Sequence, residues 1–150
     1  MRKAWLCVGL FTSLSGLASA TTPAMLPNAT ADDCAVASKL SDAITHGDLR
    51  QASNLFSDGL EVAQDGLTLR SSKTASLNAM NDGYFGNWTK VTCAPVRIDR
   101  VAVSRFHIIV MATYPGGVAC TYPSKSNQVQ IYRLTAEKTI SHIDFWTVYG

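Results

Sequence analysis

Residues 36–49, VASKLSDAITHGDL, contain the clearest helix signal of the chain. The apolar residues of this stretch recur at the spacing of one helix face, and they are Val36, Leu40, Ala43 and Ile44. The sequence therefore predicts an amphipathic helix, preceded by Thr30 and Asp33 at the spacing of a capping box. Gly47 stands where helices commonly end in a left-handed residue, and Asp48 can cap a second, shorter helix.

Downstream, the pattern predicts a second helix, a hairpin and a third helix. The second helix carries Ala52, Leu55 and Phe56, and Asp58-Gly59 is expected to end it. Alternating apolar residues around the turn pair Asp65-Gly66 predict a short β-hairpin over residues 60–69. Ser71 or Ser72 can cap the third helix, whose apolar stripe consists of Leu77, Met80, Tyr84 and Phe85.

From residue 88 onward the sequence is typical of β-strands. A long strand is predicted to end near Val103, and residues 106–113 (FHIIVMAT) are apolar on both faces, as in the centre of a sheet. Two further strands, 129–132 and 140–148, flank a turn at Ala136-Glu137. Because these strands follow one another through short turns, we expect antiparallel pairing and an α+β fold.

Residues 1–20 have the three parts of a secretory signal peptide. Arg2 and Lys3 precede an apolar stretch, and Ala18-Ser19-Ala20 supplies the small residues of a cleavage site. The stretch is diluted by Ser and Gly and is shorter than the roughly 20 apolar residues that a spanning helix needs. We therefore expect a secreted, extracellular protein with a signal peptide at 1–20, a flexible leader at 21–31 and one domain at 32–150.

The charge balance argues against two classes of partner. The whole chain has 13 basic and 11 acidic residues, so removal of Arg2 and Lys3 would leave 11 of each. A neutral chain without a basic patch does not favour binding to nucleic acid or to anionic lipid. No CxxC or HxxxH motif occurs, and we expect neither a metal site nor a cofactor.

The cysteines and the sequons fit the secretory route. Cys34, Cys93 and Cys120 would remain after cleavage, so an oxidising compartment allows one disulfide with three alternative pairings. Asn28 and Asn87 stand in Asn-X-Thr sequons, and both are predicted glycosylation sites.

The order of elements resembles the NTF2-like (SnoaL-like) superfamily, which includes ketosteroid isomerases, scytalone dehydratase and limonene-epoxide hydrolase. The resemblance lies in the segment AITHGDL at 43–49, in Leu55-Phe56, in Leu60-Glu61-Val62, and in the closing strands from Val129 to Asp144. It implies three N-terminal helices packed on a curved, mostly antiparallel sheet that forms a cone. The mouth of that cone is the ligand pocket of the superfamily, although a shared fold does not imply a shared activity.

The candidate catalytic pair is His142 and Asp144, which share one strand face with Trp146 by period-two alternation. A two-residue turn at Ala136-Glu137 would place Ile131 opposite His142 and Val129 opposite Asp144. In an apolar cavity the pair would have shifted pKa values suited to acid/base catalysis.

Further residues complete this hypothesis of a catalytic site. Tyr132 or Tyr84 would orient the substrate, and Tyr84, Trp146 and Ile131 would line the pocket. The alternative is that Ile143 and Phe145 form the core, which would leave His142 and Asp144 as a surface pair; the general exposure of charged residues favours it. Asp99, beside Arg97, is interpreted as a solvated charge.

Three functions are compatible with this sequence. The first is a secreted domain that binds a small apolar molecule without catalysis. The second is an isomerase, dehydratase or cyclase that uses His142, Asp144 and Tyr132. The third is a protein-interaction module that acts through a sheet face carrying Gln128, Gln130 and Tyr132. Dimers through the sheet are common among the proteins that the chain resembles, so a homodimer is also expected.

Overall fold

The computed structural model describes residues 21–81, 96–118, 120 and 124–148. They form three helices and seven strands. The helices are α1 (Ala31–His46), α2 (Leu49–Ser53) and α3 (Lys73–Asn81). The strands are β1 (Ala24–Met25), β2 (Phe56–Gln64), β3 (Leu67–Arg70), β4 (Arg97–Val103), β5 (His107–Tyr114), β6 (Ser126–Leu134) and β7 (Ile140–Val148). The predicted signal peptide at 1–20 and the residues Tyr84, Asn87 and Cys93 lie outside the described residues.

The seven strands form one mixed sheet in the order β1-β4-β5-β6-β7-β2-β3. Four neighbouring pairs are antiparallel (β2–β3, β4–β5, β5–β6, β6–β7), whereas β1–β4 and β2–β7 are parallel. The strand that is apolar on both faces, β5, lies in the interior of this order, as predicted. The α+β class and the antiparallel pairing of the C-terminal strands are therefore confirmed.

Local signals at the helix ends are confirmed. Thr30 and Asp33 form the reciprocal capping box at the start of α1, and Gly47 ends the helix in the left-handed conformation at φ 65°. The Asp48 side chain accepts the backbone N–H of Gln51 and begins α2. These interactions satisfy backbone groups that a helix end would otherwise leave without a partner.

One face of the sheet packs against the helices and forms the core. The apolar stripe of α1 meets β4, and α3 packs on β2. The buried residues that the strands contribute include Val101, Val103, Ile108, Val110, Ile143 and Phe145. We call this side the helix-facing side. Because Ile143 and Phe145 lie here, the alternative interpretation of β7, with His142 and Asp144 on the opposite side, is the one that the structure supports.

The opposite side, which we call the far face, is organised in rows that run across the strands. A mainly polar row at one end contains Arg97, Thr113 and Asn127, with the apolar Val148 as its last member. Two mainly apolar rows follow, the first with Arg100, Met111, Val129 and Trp146 and the second with Ala102, Ile109, Ile131 and Asp144. A second polar row closes the face with His107, Arg133, His142 and Glu61.

Three predicted boundaries differ from the structure. Phe56 begins β2 instead of belonging to α2, since its fully buried ring pairs in register with Ile140 of β7. Part of the predicted leader at 21–31 has regular structure, because Ala24 and Met25 pair with β4 as an edge strand. Between β6 and β7 the chain makes a longer turn than Ala136-Glu137 alone, with Lys138 at φ 64°.

The longer turn shifts the pairing of β6 with β7 by two residues. Ile131 therefore stands opposite Asp144 and Val129 opposite Trp146, while His142 pairs with Arg133. A shift of two residues keeps every side chain on its predicted side of the sheet, because side chains alternate with a period of two.

The described cysteines are all oxidised. No free cysteine occurs among the described residues, and Cys34 and Cys120 are each disulfide-bonded. Cys93 lies outside those residues, so the pairing of the predicted disulfide stays a prediction. Within the same residue ranges, none of the helices has both the length and the hydropathy that a membrane span requires.

Candidate functional site

The helix-facing side of β6 carries a line of buried polar side chains in an otherwise apolar core. Gln128 is 4% exposed, and Gln130 and Tyr132 are fully buried. The prediction that these three residues form an exposed interaction surface is therefore wrong. Their side chains point toward the helices, and the partly exposed side of β6 is the one that carries Val129 and Ile131.

Hydrogen bonds join this line to the end of β5, and we call the four side chains the Gln–Tyr ladder. The Tyr132 hydroxyl donates to Gln130 Oε1 at 2.6 Å, and Gln130 Nε2 donates to Tyr114 and, at 3.3 Å, to Gln128 Oε1. Burial, and secondarily the neighbouring Tyr114, raises the pKa of Tyr132 well above the ordinary tyrosine value. The phenol consequently stays protonated and acts as a hydrogen-bond donor.

The predicted catalytic residues lie on both sides of the sheet. His142 and Asp144 are half-buried on the far face, whereas Tyr132 is buried on the helix-facing side. His142 Nδ1 lies 3.4 Å from Glu61 Oε2, and Asp144 accepts the Gly66 N–H at 3.4 Å. The structure therefore does not bring Tyr132 together with the other two residues. Their catalytic roles stay a prediction.

The predicted ligand-binding residues are likewise separated from Tyr132. Ile131 is half-buried in the second apolar row of the far face, next to Asp144. Trp146 is 41% exposed in the first apolar row, and its ring reaches toward Gly66 in the β2–β3 turn. Tyr84 lies outside the described residues.

A groove of about 340 Å³ lies on the far face where β4, β5 and β6 carry the first polar row. One wall of this groove is polar and the other is apolar. Its polar lining includes Arg97, Asp99, Thr113, Lys125 and Asn127, and its apolar lining includes Met111, Val129 and Val148. Strand register explains this division, because Thr113 and Asn127 belong to the polar row and Met111 and Val129 to the apolar row beside it.

The polar side of the groove is held in place by Thr113. Its hydroxyl donates to Asp99 Oδ2 at 2.7 Å and lies 3.1 Å from Asn127 Oδ1. Arg97 Nε donates to Asp99 Oδ1 at 2.8 Å. The Thr113 hydrogen bond, opposed by burial and assisted by Arg97 and Lys125, lowers the pKa of Asp99. Asp99 is therefore ionised at neutral pH. Arg97 and Asp99 of β4, Thr113 of β5 and Asn127 of β6 thus form one ordered polar cluster.

This cluster was not predicted as a site. From the sequence, Asp99 is interpreted as a solvated charge, and no role is predicted for Thr113 or Lys125. Asp99 and Thr113 are 14 residues apart and meet only through the β4–β5 pairing, which departs from regular register between Ile98 and Arg100. The one available signal was the pair Arg97 and Asp99, which share a strand face at a spacing of two. Among the described residues, no group of three or more His, Cys, Asp or Glu side chains is placed to hold a metal ion.

Comparison with known proteins identifies the fold. No protein-family model matches the chain, and no curated protein matches its sequence. Among solved structures, an NTF2-like protein of unknown function from Mesorhizobium loti matches with a TM-score of 0.66 and 8% identity, covering 83% of this chain and 98% of that one.

Two further solved structures show the same likeness. An NTF2-like protein of unknown function from Burkholderia xenovorans has a TM-score of 0.63 and 10% identity, over 79% of this chain and 84% of that one. A candidate ketosteroid isomerase from Kribbella flavida has a TM-score of 0.57 and 13% identity, over 79% of each chain. At such identities the likeness concerns the fold and not the activity. The chain therefore has the NTF2-like, cystatin-like fold that its order of elements predicts.

Proposed function

We propose that this chain is a secreted binding domain for a small molecule, and that the molecule occupies the groove beside Asp99 and Thr113. The observation that carries the proposal is the preordered polar cluster next to exposed apolar side chains in one concave site of about 340 Å³. Ligand sites in proteins commonly have volumes of roughly 300–1,000 Å³ and combine apolar walls with a few placed polar groups. Secretion is inferred from residues 1–20 of the sequence.

The groove suits binding because its polar groups are ordered before a ligand arrives. Thr113 is 8% exposed, and its hydroxyl donates to Asp99 and accepts from Arg97, so a ligand would lose little free energy to the ordering of this side chain. Met111 and Val148 are 44% and 48% exposed, and a ligand would bury them. The apolar ligand that the sequence suggested is thereby revised to one with a polar end.

The cone inferred from the resemblance would enclose the helix-facing side of the sheet. There, Gln130 and Tyr132 are fully buried and are hydrogen-bonded to each other. A buried donor or acceptor without a partner is costly, so the hydrogen bond between these two side chains is explained by stability alone and does not require a ligand. We therefore place the ligand in the groove of the far face, where side chains remain accessible.

The proposal can be tested by NMR with methyl-labelled methionine. We expect a fragment that binds the groove to shift the Met111 methyl resonance and to leave Met80, fully buried in α3, unchanged. Thr113→Val removes the hydroxyl with little change of volume and should weaken the same fragments. If a diverse fragment set at millimolar concentration leaves Met111 unshifted, the groove is not a small-molecule site.

A second candidate is self-association through the far face. The two apolar rows of this face include Met111 and Trp146, which are 44% and 41% exposed. A second copy of the chain could cover them, since apolar rows exposed on a sheet often mark an interface. Sedimentation should then show a dimer that Met111→Lys dissociates. The matched control is Leu67→Lys, because Leu67 is 71% exposed on β3, outside these rows; a wild-type monomer at all concentrations would exclude the candidate.

A further inference from the structure

We infer that the ligand of the groove is an amphipathic anion, with a negatively charged head bound near Arg97 and Lys125 and a short apolar chain lying on Met111 and Val129. The inference rests on the proposed function and specifies its ligand. It follows from which hydrogen-bonding groups of the groove are already occupied and which remain available.

The carboxylate of Asp99 is not available to a cationic ligand. One of its oxygens accepts from Arg97 and the other from Thr113, at 2.8 and 2.7 Å. A cation that approached Asp99 would have to displace these donors, both of which are charged or ordered. Such an exchange would add little binding free energy, because the new ion pair with Asp99 would replace an existing one.

The cations of the groove, in contrast, keep donors that a ligand can use. Arg97 donates its Nε to Asp99 and one Nη2 proton to Thr113 at 3.4 Å, while its side chain remains 69% exposed. A guanidinium has five N–H donors, so three are left for a ligand. Lys125 is exposed and acts on Asp99 only through space, without a hydrogen bond to any residue in the described part of the chain.

The charges of the lining favour the same sign of ligand. Two cations and one carboxylate line the groove, and the carboxylate is already paired with one of the cations. The site therefore has an excess positive charge at Lys125, beside the ordered Thr113–Asn127 pair. An anionic head would meet complementary charge here, whereas a neutral head would gain no charge interaction with the ammonium.

The apolar part of the groove sets where the rest of the ligand lies. Along their antiparallel strands, Met111 and Val129 lie two residues away from Thr113 and Asn127, a separation of about 6.6 Å. A head near Lys125 therefore places a chain of several carbons on Met111 and Val129, with Val148 at its side. The shared chemistry is an anionic head with an apolar chain, and the head is either a carboxylate or a phosphate ester.

Titration of the full mature protein with five probes tests this inference. The probes are octanoate, octyl phosphate, 1-octanol, octylammonium and acetate, and the readouts are the Met111 methyl shift and calorimetry at low ionic strength. We expect octanoate or octyl phosphate to bind more tightly than octanol and acetate. Lys125→Gln should weaken binding of the anion about fivefold, as expected for one exposed charge. Lys39→Gln, an exposed lysine on α1, should leave it unchanged.

The outcomes of this titration distinguish a failure of the anionic-ligand inference from a failure of the proposed function. Equal binding of octanol and the two anions, with no effect of Lys125→Gln, would overturn the anionic head while Met111 still reported a small-molecule site. Tighter binding of octylammonium would do the same. Preference between octanoate and octyl phosphate identifies the head, and either result supports the inference. If none of the probes and no fragment shifts Met111, the proposed function itself fails.

Discussion

The contact between Asp33 and Lys138 gives the most direct prediction from this structure. Asp33 is fully buried at the start of α1, and Lys138 lies in the turn between β6 and β7. The carboxylate accepts the Thr30 N–H at 2.7 Å, the Thr30 hydroxyl at 2.8 Å and the Lys138 ammonium. One side chain thus caps a helix and ties it to a turn 105 residues away.

We expect Asp33→Asn to lower the free energy of unfolding by about 2–3 kcal/mol. Breaking a buried ion pair by removal of one partner costs about 3–5 kcal/mol. Part of this cost is recovered, because the Lys138 side chain is 26% exposed and can be solvated again. The capping hydrogen bonds from Thr30 add about 1 kcal/mol, of which an asparagine retains a fraction.

Urea denaturation of wild type, Asp33→Asn, Lys138→Gln and the double variant provides the measurement. We expect a coupling free energy of about 1 kcal/mol or more, because the two side chains are in contact. Asp32→Asn is the matched control, since Asp32 lies in the same helical turn but is exposed; it should cost less than about 0.5 kcal/mol. Additive single changes, or equal costs for Asp32→Asn and Asp33→Asn, would refute this account of the contact.

The same contact predicts how stability depends on pH. Burial alone would raise the pKa of Asp33, but the hydrogen bonds from Lys138 and Thr30 outweigh it and hold the pKa below its usual value. A lowered pKa in the folded state stabilises the fold above the unfolded-state pKa of about 3.9, and this stabilisation is lost as pH falls through the folded value. Asp33→Asn should therefore flatten the acid limb of the stability curve.

Three further predictions concern other parts of the chain. Gln130→Leu leaves the Tyr132 hydroxyl buried without its acceptor. In urea denaturation it should therefore cost about 1–3 kcal/mol more than the double variant Gln130→Leu/Tyr132→Phe, since an orphaned polar group is costlier than a pair removed together. Gly47→Ala should cost about 1 kcal/mol in the same assay because Gly47 is left-handed, and an equal stability would contradict this. Asn28 is exposed at φ 70°, so Asn28→Gln should remove one glycan mass from protein secreted by eukaryotic cells; an unchanged mass would exclude this site.

Signals contained within a few residues were predictable from the sequence. The Thr30–Asp33 capping box, the left-handed Gly47 and the Asp48 cap all depend on neighbours at most four residues away. The element order followed from these boundaries and from the runs of apolar residues between them. Local hydrogen bonding is determined by local sequence, so such features can be inferred without knowledge of the tertiary fold.

Features that depend on distant partners could not be predicted. The leader at 21–31 lacks periodicity, yet Ala24 and Met25 pair with β4 some 78 residues further along the chain. The local pattern places Phe56 in the helix before it, although its pairing with β7 makes it the first residue of a strand. In both cases the sheet supplies backbone partners that override the local pattern.

The assignment of sheet faces shows why the position of the site was missed. Alternation along β6 suggests that Gln128 and Gln130 face solvent, because amide side chains are mostly exposed. That inference fails when polar groups on one face can satisfy one another, as Gln130 does with Tyr132 two residues away and with Tyr114 on β5. The same register that buries this ladder turns Met111 and Val129 outward, beside the Thr113–Asp99 pair. The burial of Gln128 and Gln130 and the position of the groove are therefore consequences of the same strand pairing. A change of register that exposed these amides would also remove the groove.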